Sequence, residues 1–499
     1  MASEPGYDFV IVGAGTAGCV LAARLSAQED VRVLLIEAGS ATLPPASAAP
    51  PQWQTLLGSS ADWGGPTAVQ DTLGRAIHVA RGRGFGGSSA INAMMFARGH
   101  RESYDDWPEG WRFDDLLPYF MRSEASRGGN PALRGKNGPL RVGPASPVNP
   151  LLAAALDAAV ECGYAAAEDI SSGDETGFGA ADLTIDGRRR QTAADAYLVP
   201  AMDRPNLDVI SDAVVHRLVI SEGRCTGVEF HRSSSPSSTC VRSVGEIVLA
   251  AGAIGSAQLL MVSGVGPEAH LRDVGVDVVH HLPGVGANFQ DHPLSGVIYT
   301  AAQPIPTPEH NHGEVMGLIR TASAGAPDLQ ILMVDSTEVT GLDIPNAYLF
   351  GVSAMQPHSR GRVRLTGPTV NAAPLVDPNY LIDERDWKTM LEGFRIAREI
   401  GAAAAMAPWC GGELAPGPAV ADDESLRRFI CDSLSSYYHS SGTCAMGDSD
   451  ESVVDTALRV HGLAGLRVAD ASVMPSLPSN NPMATVYGIA ERAADLIGG

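Results

Sequence analysis

Tyr7-Asp8-Phe9-Val10-Ile11-Val12-Gly13-Ala14-Gly15-Thr16-Ala17-Gly18 is the stretch on which the fold turns. Its first half is a short, mostly apolar run suited to a buried parallel strand. Its second half is a glycine turn opening an Ala/Leu-rich helical stretch that ends near Ser26. Val31-Arg32-Val33-Leu34-Leu35-Ile36 has the same strand character, so the first forty residues read as a βαβ unit. In that setting Gly13 permits the tight turn, Gly15 lets a pyrophosphate approach the backbone, and Gly18 lets helix and strand pack closely. The helix N-terminus adds a partial positive charge for the phosphates. Glu37 closes the second strand, where it would accept hydrogen bonds from the adenosine ribose, and its charge disfavours the 2′-phosphate of NADP. The plain alternative is a glycine turn that binds nothing. Strand, helix and acid together favour a dinucleotide, without separating FAD from NAD.

Working outward, 499 residues are two or three domains' worth, or one large enzyme with an inserted domain. With 44% apolar and 18% charged residues the chain is not of the disordered class. Thirty-five basic against 57 acidic residues give −22, the wrong sign for a nucleic-acid partner. Seven cysteines, odd in number and without a C-x-x-C pair, argue against a disulfide framework or a cysteine-built metal site, and no metal is expected. Phe9 to Val12 is too short for a signal core, and no later run reaches ~18 apolar residues. The expectation is a cytoplasmic protein with no membrane partner.

Further along, Ala41 to Pro51 suits a surface excursion, and a glycine-dense stretch follows at Arg81 to Asn92. Residues 151–162 read as an amphipathic helix. Strand-like runs at 206–210, 214–220, 227–230 and 246–250 lead into Gly252-Ala253-Ile254-Gly255-Ser256, a second strand, turn and helix. Between about Leu294 and Ala415 the pattern of short or alternating apolar segments, such as Leu329 to Met333 and Gly361 to Leu365, predicts an antiparallel sheet in a separate layer. A helix beginning near Asp422 is expected to end close to His439, and the last helix to start at about Pro482.

Four ordered blocks carry a resemblance that runs nearly the whole length. They are Asp8 to Cys19 with Glu37-Ala38-Gly39; Arg81 to Asn92 continuing to Gly99; Gly252 to Gly266 joined to Val285 to His292; and His439 to Gly447 followed by Ala469 to Pro475 and Asn481 to Thr485. In these the chain resembles the glucose-methanol-choline (GMC) family of FAD-dependent oxidoreductases. The resemblance implies an α/β fold: a Rossmann-like FAD-binding domain (1–138, 187–294 and 433–499) with an inserted α+β substrate domain on an antiparallel sheet (139–186 and 295–432). It implies FAD as cofactor, held by Gly13, Gly15, Thr16, Ala17, Gly18, Glu37 and Ala38 in the first block. The second block contributes Arg81, Gly86, Gly87, Ser88, Asn92 and Ala93. The remainder are Val215, whose family counterpart meets the adenine through its backbone, then Ala251, Gly252, Asp470, Ala471, Asn481, Pro482 and Met483. The position that carries a flavin-linking histidine in some members matches Ile91 here, so FAD is expected to be noncovalent.

Oxidising an alcohol requires removal of a hydroxyl proton and of a hydride from the same carbon. A base titrating near neutrality suits the first task, and histidine is the natural candidate. By the resemblance His439 is the catalytic histidine and Asn481 its partner, although Asn before Pro reads equally well as a helix cap. The implied activity is oxidation of a primary or secondary alcohol, with proton abstraction at His439, hydride transfer to flavin N5, and O2 or another acceptor taking the electrons. The alternative is a non-redox lyase of the same fold, acting on hydroxynitriles. His292, beside Asp291, is expected to be structural. His280-His281 is expected to be solvated, and Tyr437 and Tyr438, which could line the pocket, are expected first to serve helix packing. An aromatic cage for a choline-like cation finds no support in 6% aromatic content without a cluster. The particular alcohol and the oligomeric state stay open.

Overall fold

The strand Tyr7–Val12 sits at the centre of the first of two seven-stranded sheets. The computed structural model describes residues 6–235, 237–321, 325–340, 342 and 344–499. Tyr7–Val12 pairs in parallel with Val33–Ile36 on one side and with the end of Thr239–Leu249 on the other. Leu207–Ile210 and Leu466–Val468 extend the parallel set outward. Val10, Ile11 and Val33 to Ile36 are buried, as strands covered on both faces require. Helix Thr16–Leu25 lies on this sheet and packs against the final helix, Met483–Gly498.

Thr239–Leu249 belongs to two pairings at once. Its first residues pair antiparallel with Arg224–Arg232, which pairs in turn with Ala213–Ser221, and its last residues join the parallel strands. All three strands are longer than the apolar runs that announced them. Exposed Thr239, Cys240 and Arg242 continue the ladder with little burial to mark it.

The second sheet runs Cys410–Ala415, Pro293–Ala301, Ala347–Ala354, Leu329–Val334, Val315–Ile319, Gly177–Ala180, antiparallel throughout. Its period-2 alternation sorts side chains to two buried faces. Leu329, Ile331 and Met333 pack with Trp387, Met390 and Phe394 of helix Glu384–Gly401, while Leu332 and Val334 join an opposite cluster with Leu294 and Tyr437. Gly393 is required for this contact, because a Cβ there would lie 2.3 Å from Val352. Truncating a buried ring such as Phe394 costs about 3–5 kcal/mol, so the strand that faces the site is firmly backed.

Two expectations are corrected. Gly361 to Leu365 does not join the large sheet: Arg362–Arg364 forms a ribbon with Leu375–Asp377, and Val363 and Val376 bury into the core of the first sheet. The helix expected to end close to His439, Asp423–Ser433, stops six residues earlier. Ser435 and Ser436 instead pair with Leu294 and Pro293, which brings the following residues into the interior between the sheets. Among the described residues no helix is long and apolar enough to cross a membrane.

Candidate active site

One continuous cavity runs from the first glycine turn to His439, and nearly every residue singled out in the sequence lines it. Gly13, Gly15, Thr16, Ala17, Glu37 and Ala38 form one end, with Arg81, Gly87, Ser88, Val215, Ala251 and Gly252 around them. Asn92, Ala93, Asp470, Ala471, Asn481, Pro482 and Met483 continue the wall toward His439. Gly18 and Gly86 are the exceptions, standing behind the wall. A Cβ on Gly18 would lie 1.8 Å from the Gly13 carbonyl oxygen, and Gly86 has φ of +91° while its amide donates to Ala14 O at 2.8 Å. Their work is to shape the turn.

This end is made of backbone. A Cβ on Gly87 would lie 2.6 Å from Gly15 Cα, so the two glycine turns meet where no side chain fits, leaving amides to face a ligand. Glu37 accepts from the amides of Ala14 (2.7 Å), Gly39 (2.8 Å) and Gly84 (2.9 Å), which ties both turns to the second strand. Burial pushes its carboxyl up while those amides pull it down. Oε1 is fully used and Oε2 keeps one lone pair free for a ribose hydroxyl. Asp470 accepts from the Gly252 amide (2.9 Å), the Ser256 hydroxyl (2.6 Å) and the Ser472 amide (2.8 Å), fixing the start of helix Gly252–Val262. Arg81 is half-buried, and desolvation lowers its guanidinium to about 10 against the pull of Asp62; it donates to Trp63 O at 3.1 Å. A bulge in the ladder between Val215 and Arg217 interrupts the pairing beside Val215. Asn92 accepts from Met94 N (2.9 Å) and Arg190 (2.8 Å) and donates to Met483 Sδ (3.1 Å), joining the second glycine stretch to the last helix. A cradle with no room for side chains, an acid beside it and two helix starts aimed at it fit a dinucleotide such as FAD.

The other end is made of side chains. His439 and Asn481 meet: Asn481 Nδ2 lies 3.1 Å from His439 Nε2. The amide of Asn481 is oriented by Gln330, whose Nε2 donates to Asn481 Oδ1 (3.4 Å) and to Asn480 Oδ1 (3.0 Å). The cap reading of Asn481 is thereby set aside. Pro482 occupies the cap position of helix Met483–Gly498 and no side chain caps it.

His292, expected to be structural, touches His439. Its Nδ1 lies 2.8 Å from His439 Nδ1, and its Nε2 lies 3.2 Å from Met355 O. A carbonyl only accepts, so His292 Nε2 carries the proton. Its Nδ1 must then accept from His439 Nδ1–H, which leaves His439 Nε2 unprotonated, its lone pair accepting from Asn481 Nδ2 at the cavity. Burial holds His292 neutral, down at about 3, and burial followed by the neighbouring His292 holds His439 well below the ordinary histidine value. Asp291 braces the pair from behind. It accepts from the amides of His292 (2.9 Å) and His439 (2.7 Å) and from the hydroxyls of Tyr380 and Ser436, and burial raises its carboxyl to about 6.

Tyr437 and Tyr438 do not pack a helix; both line the cavity. Tyr437 stacks on His439 with centroids 4.3 Å apart, and its hydroxyl donates to Gln330 Oε1 at 2.7 Å. Gln330 was invisible to sequence reasoning, because a glutamine inside an apolar strand announces burial but not what it faces. For His292 a signal existed in its place beside Asp291 within one of the four blocks.

Comparison with known proteins gives the family. Family models described as GMC oxidoreductase match residues 7–294 and 357–490. An oxygen-dependent choline dehydrogenase of Stenotrophomonas maltophilia is 36% identical over 100% of this chain and 96% of its own length. The mitochondrial choline dehydrogenase of Homo sapiens is 36% identical over 100% of this chain and 90% of its own. Among solved structures, pyridoxine 4-oxidase from Mesorbium loti superposes with a TM-score of 0.94 at 36% identity, covering 98% of this chain and 99% of the other. A fungal aryl-alcohol oxidase gives 0.85 at 25% identity, with 99% of each chain covered.

Proposed function

The chain belongs to the GMC oxidoreductase family of FAD-dependent enzymes acting on CH–OH groups, and on that premise we propose that it takes a primary or secondary alcohol to its carbonyl with His439 as base. The observation that carries this reading is the hydrogen-bonded series from Met355 O through His292 to His439, which leaves the Nε2 lone pair facing the cavity.

In the proposed reaction the alcohol hydroxyl gives its proton to His439 Nε2, while Asn481 Nδ2 donates to the same oxygen and holds the carbinol in place. When bound, FAD supplies the acceptor for the hydride leaving the carbinol carbon. The proton stays on an imidazole whose other nitrogen is committed to His292, so the base cannot turn away during the step. Tyr437 covers one face of that imidazole and keeps water from it.

The two sheets support the broad domain division read from the sequence, a Rossmann-like unit (1–138, 187–294 and 433–499) for the cofactor and an inserted unit (139–186 and 295–432) for the substrate. They do not support its bounds: the 362–377 ribbon packs on the first sheet and Ser435–Ser436 pairs with the second. Buried Ile91, in the cavity wall, has no nucleophile to offer, which supports noncovalent FAD. All seven cysteines are free thiols, which supports a reducing, cytoplasmic setting.

The test is anaerobic mixing of the holoenzyme with a panel of primary alcohols. Bleaching of the flavin band with formation of the aldehyde is the expected result. Turnover of a hydroxynitrile with the flavin left oxidised throughout would replace this reading with the lyase.

A further inference from the structure

Building on the alcohol-oxidoreductase reading, we propose that the substrate is a neutral alcohol with an apolar body, and that the chamber rejects quaternary-ammonium alcohols such as choline. A cation entering a dry chamber loses its hydration and must recover that energy from a carboxylate or from several ring faces. The chamber beside His439 offers neither.

Its walls are Trp53, Met94, Leu294, Leu332, Val334 and Tyr437, all nine-tenths or more buried and members of one apolar cluster. The strand Leu329–Val334 puts Gln330, Leu332 and Val334 on the site face by simple alternation, and of these only Gln330 is polar. Most polar groups of these walls are spent on one another, and the Ser440 hydroxyl, which is not, carries no charge. Trp53 Nε1 donates to Asn311 O at 3.0 Å, Asn311 Nδ2 to Ala93 O at 2.6 Å, and the Gly313 amide to Asn311 Oδ1 at 3.2 Å. Gln330 accepts from Tyr437 and donates to Asn480 and Asn481. What faces a ligand is His439 Nε2 and Asn481 Nδ2, which bond each other at 3.1 Å and can part to hold one hydroxyl, together with the neutral hydroxyls of Tyr438 and Ser440.

Among the described residues lining the cavity, the carboxylates are Glu37 and Asp470. Both sit at the dinucleotide end, each holding three donors. Asp291 lies behind the histidine pair with four donors of its own. Ring faces are also engaged. Tyr437 is stacked on His439, and the Arg83 guanidinium lies 4.4 Å over Trp63. Trp53 and Tyr438 remain, two rings with no acid between them.

The experiment uses a pair that differs in charge alone. Choline and 3,3-dimethylbutan-1-ol have the same shape, with nitrogen replaced by carbon in the second. Each is mixed anaerobically with holoenzyme, and the flavin-reduction rate constant over Kd is read from bleaching. The neutral isostere is expected to exceed choline by ~100-fold or more, the scale of an uncompensated buried charge, with benzyl alcohol on the neutral side. Choline equal to or better than its isostere overturns the proposal and leaves the alcohol-oxidoreductase reading standing. Bleaching by neither of the pair, nor by longer neutral primary alcohols, overturns both. Leu332→Glu, which places an acid in the apolar wall, is expected to lower the neutral-over-cation ratio ~10-fold, and an unchanged ratio overturns the role given to that wall. The wild-type pair decides the matter alone if this variant does not fold.

Discussion

At the dinucleotide end of the cavity, Gly13, Gly15 and Gly87 meet at spacings that admit no Cβ, and Glu37 and Asp470 are spent on holding amides and a hydroxyl in place. At the other end the wall is assembled from side chains of distant segments, Trp53, Leu294, Leu332, Tyr437, His439 and Asn481, with His292 and Gln330 bonded to them from behind. A backbone cradle recognises what all dinucleotides share and fails outright when any side chain intrudes. A side-chain chamber can be altered one group at a time, so its losses are graded, and under the proposed function it is where one alcohol is told from another.

The sharpest way to break this contrast is Gly18→Val. With a Cβ forced to 1.8 Å from Gly13 O, the turn must open, and the purified protein is expected to carry essentially no flavin. A fully yellow, soluble variant in an absorbance measurement would show that the cradle tolerates what its geometry forbids.

His439→Ala acts only on the chamber. Flavin content is expected to stay at wild-type level while flavin reduction slows ~100-fold or more, the contribution of a general base. Unchanged stopped-flow kinetics would remove His439 from the mechanism.

His292→Phe fills the same space but cannot accept from His439 Nδ1–H. Reduction is expected to slow ~10-fold with alcohol Kd little changed, as for a lost positioning hydrogen bond. His292→Gln, which restores an acceptor, should recover part of the rate. Equal rates in both variants would mean that His292 only fills volume.

The pH dependence sharpens the comparison with least disturbance. The base proposed for the reaction works unprotonated, and burial holds His439 well below 6.5. The reduction rate should therefore stay flat as pH falls through 6.5 and decline only in more acid solution. A half-maximal rate near 6.5 would show that the chamber is wet. Stability follows a related course. His292 binds its proton at about 3 when folded but at the ordinary value of 6.5 when unfolded. Below pH 6.5 the unfolded chain takes up a proton that native His292 refuses, so the contribution of His292 to stability is expected to fall from about pH 6.5 to about 3. It is offset in part by Asp291, whose carboxyl is protonated at about 6 in the folded state; the Tm difference between wild type and His292→Phe reads the His292 part.

Much of the cradle was legible in the sequence because it is local. Gly13 to Gly18 and Glu37 lie within one βαβ unit, and the physics of a tight turn leaves few residues able to stand there. The chamber was legible only where a block named its members, as for His439 and Asn481. Tyr437 was misread because the helix before it was carried too far: pairing of Ser435 and Ser436 with Pro293 and Leu294 ends it, and no sequence window shows a partner 140 residues away. Gln330, Leu332 and Val334 could be placed on one face by alternation, but which face met the site depended on where helix Glu384–Gly401 chose to pack.

By itself, then, the order of residues determined that this chain builds a glycine-walled site for a dinucleotide and places a histidine and an asparagine in a late pair of segments. Tertiary structure alone decided which imidazole nitrogen is bare, what braces it, and what chemical character surrounds it. The reason is physical: backbone conformation is restricted residue by residue, whereas a proton's position and a chamber's polarity come from groups that only strand register and sheet packing bring within reach.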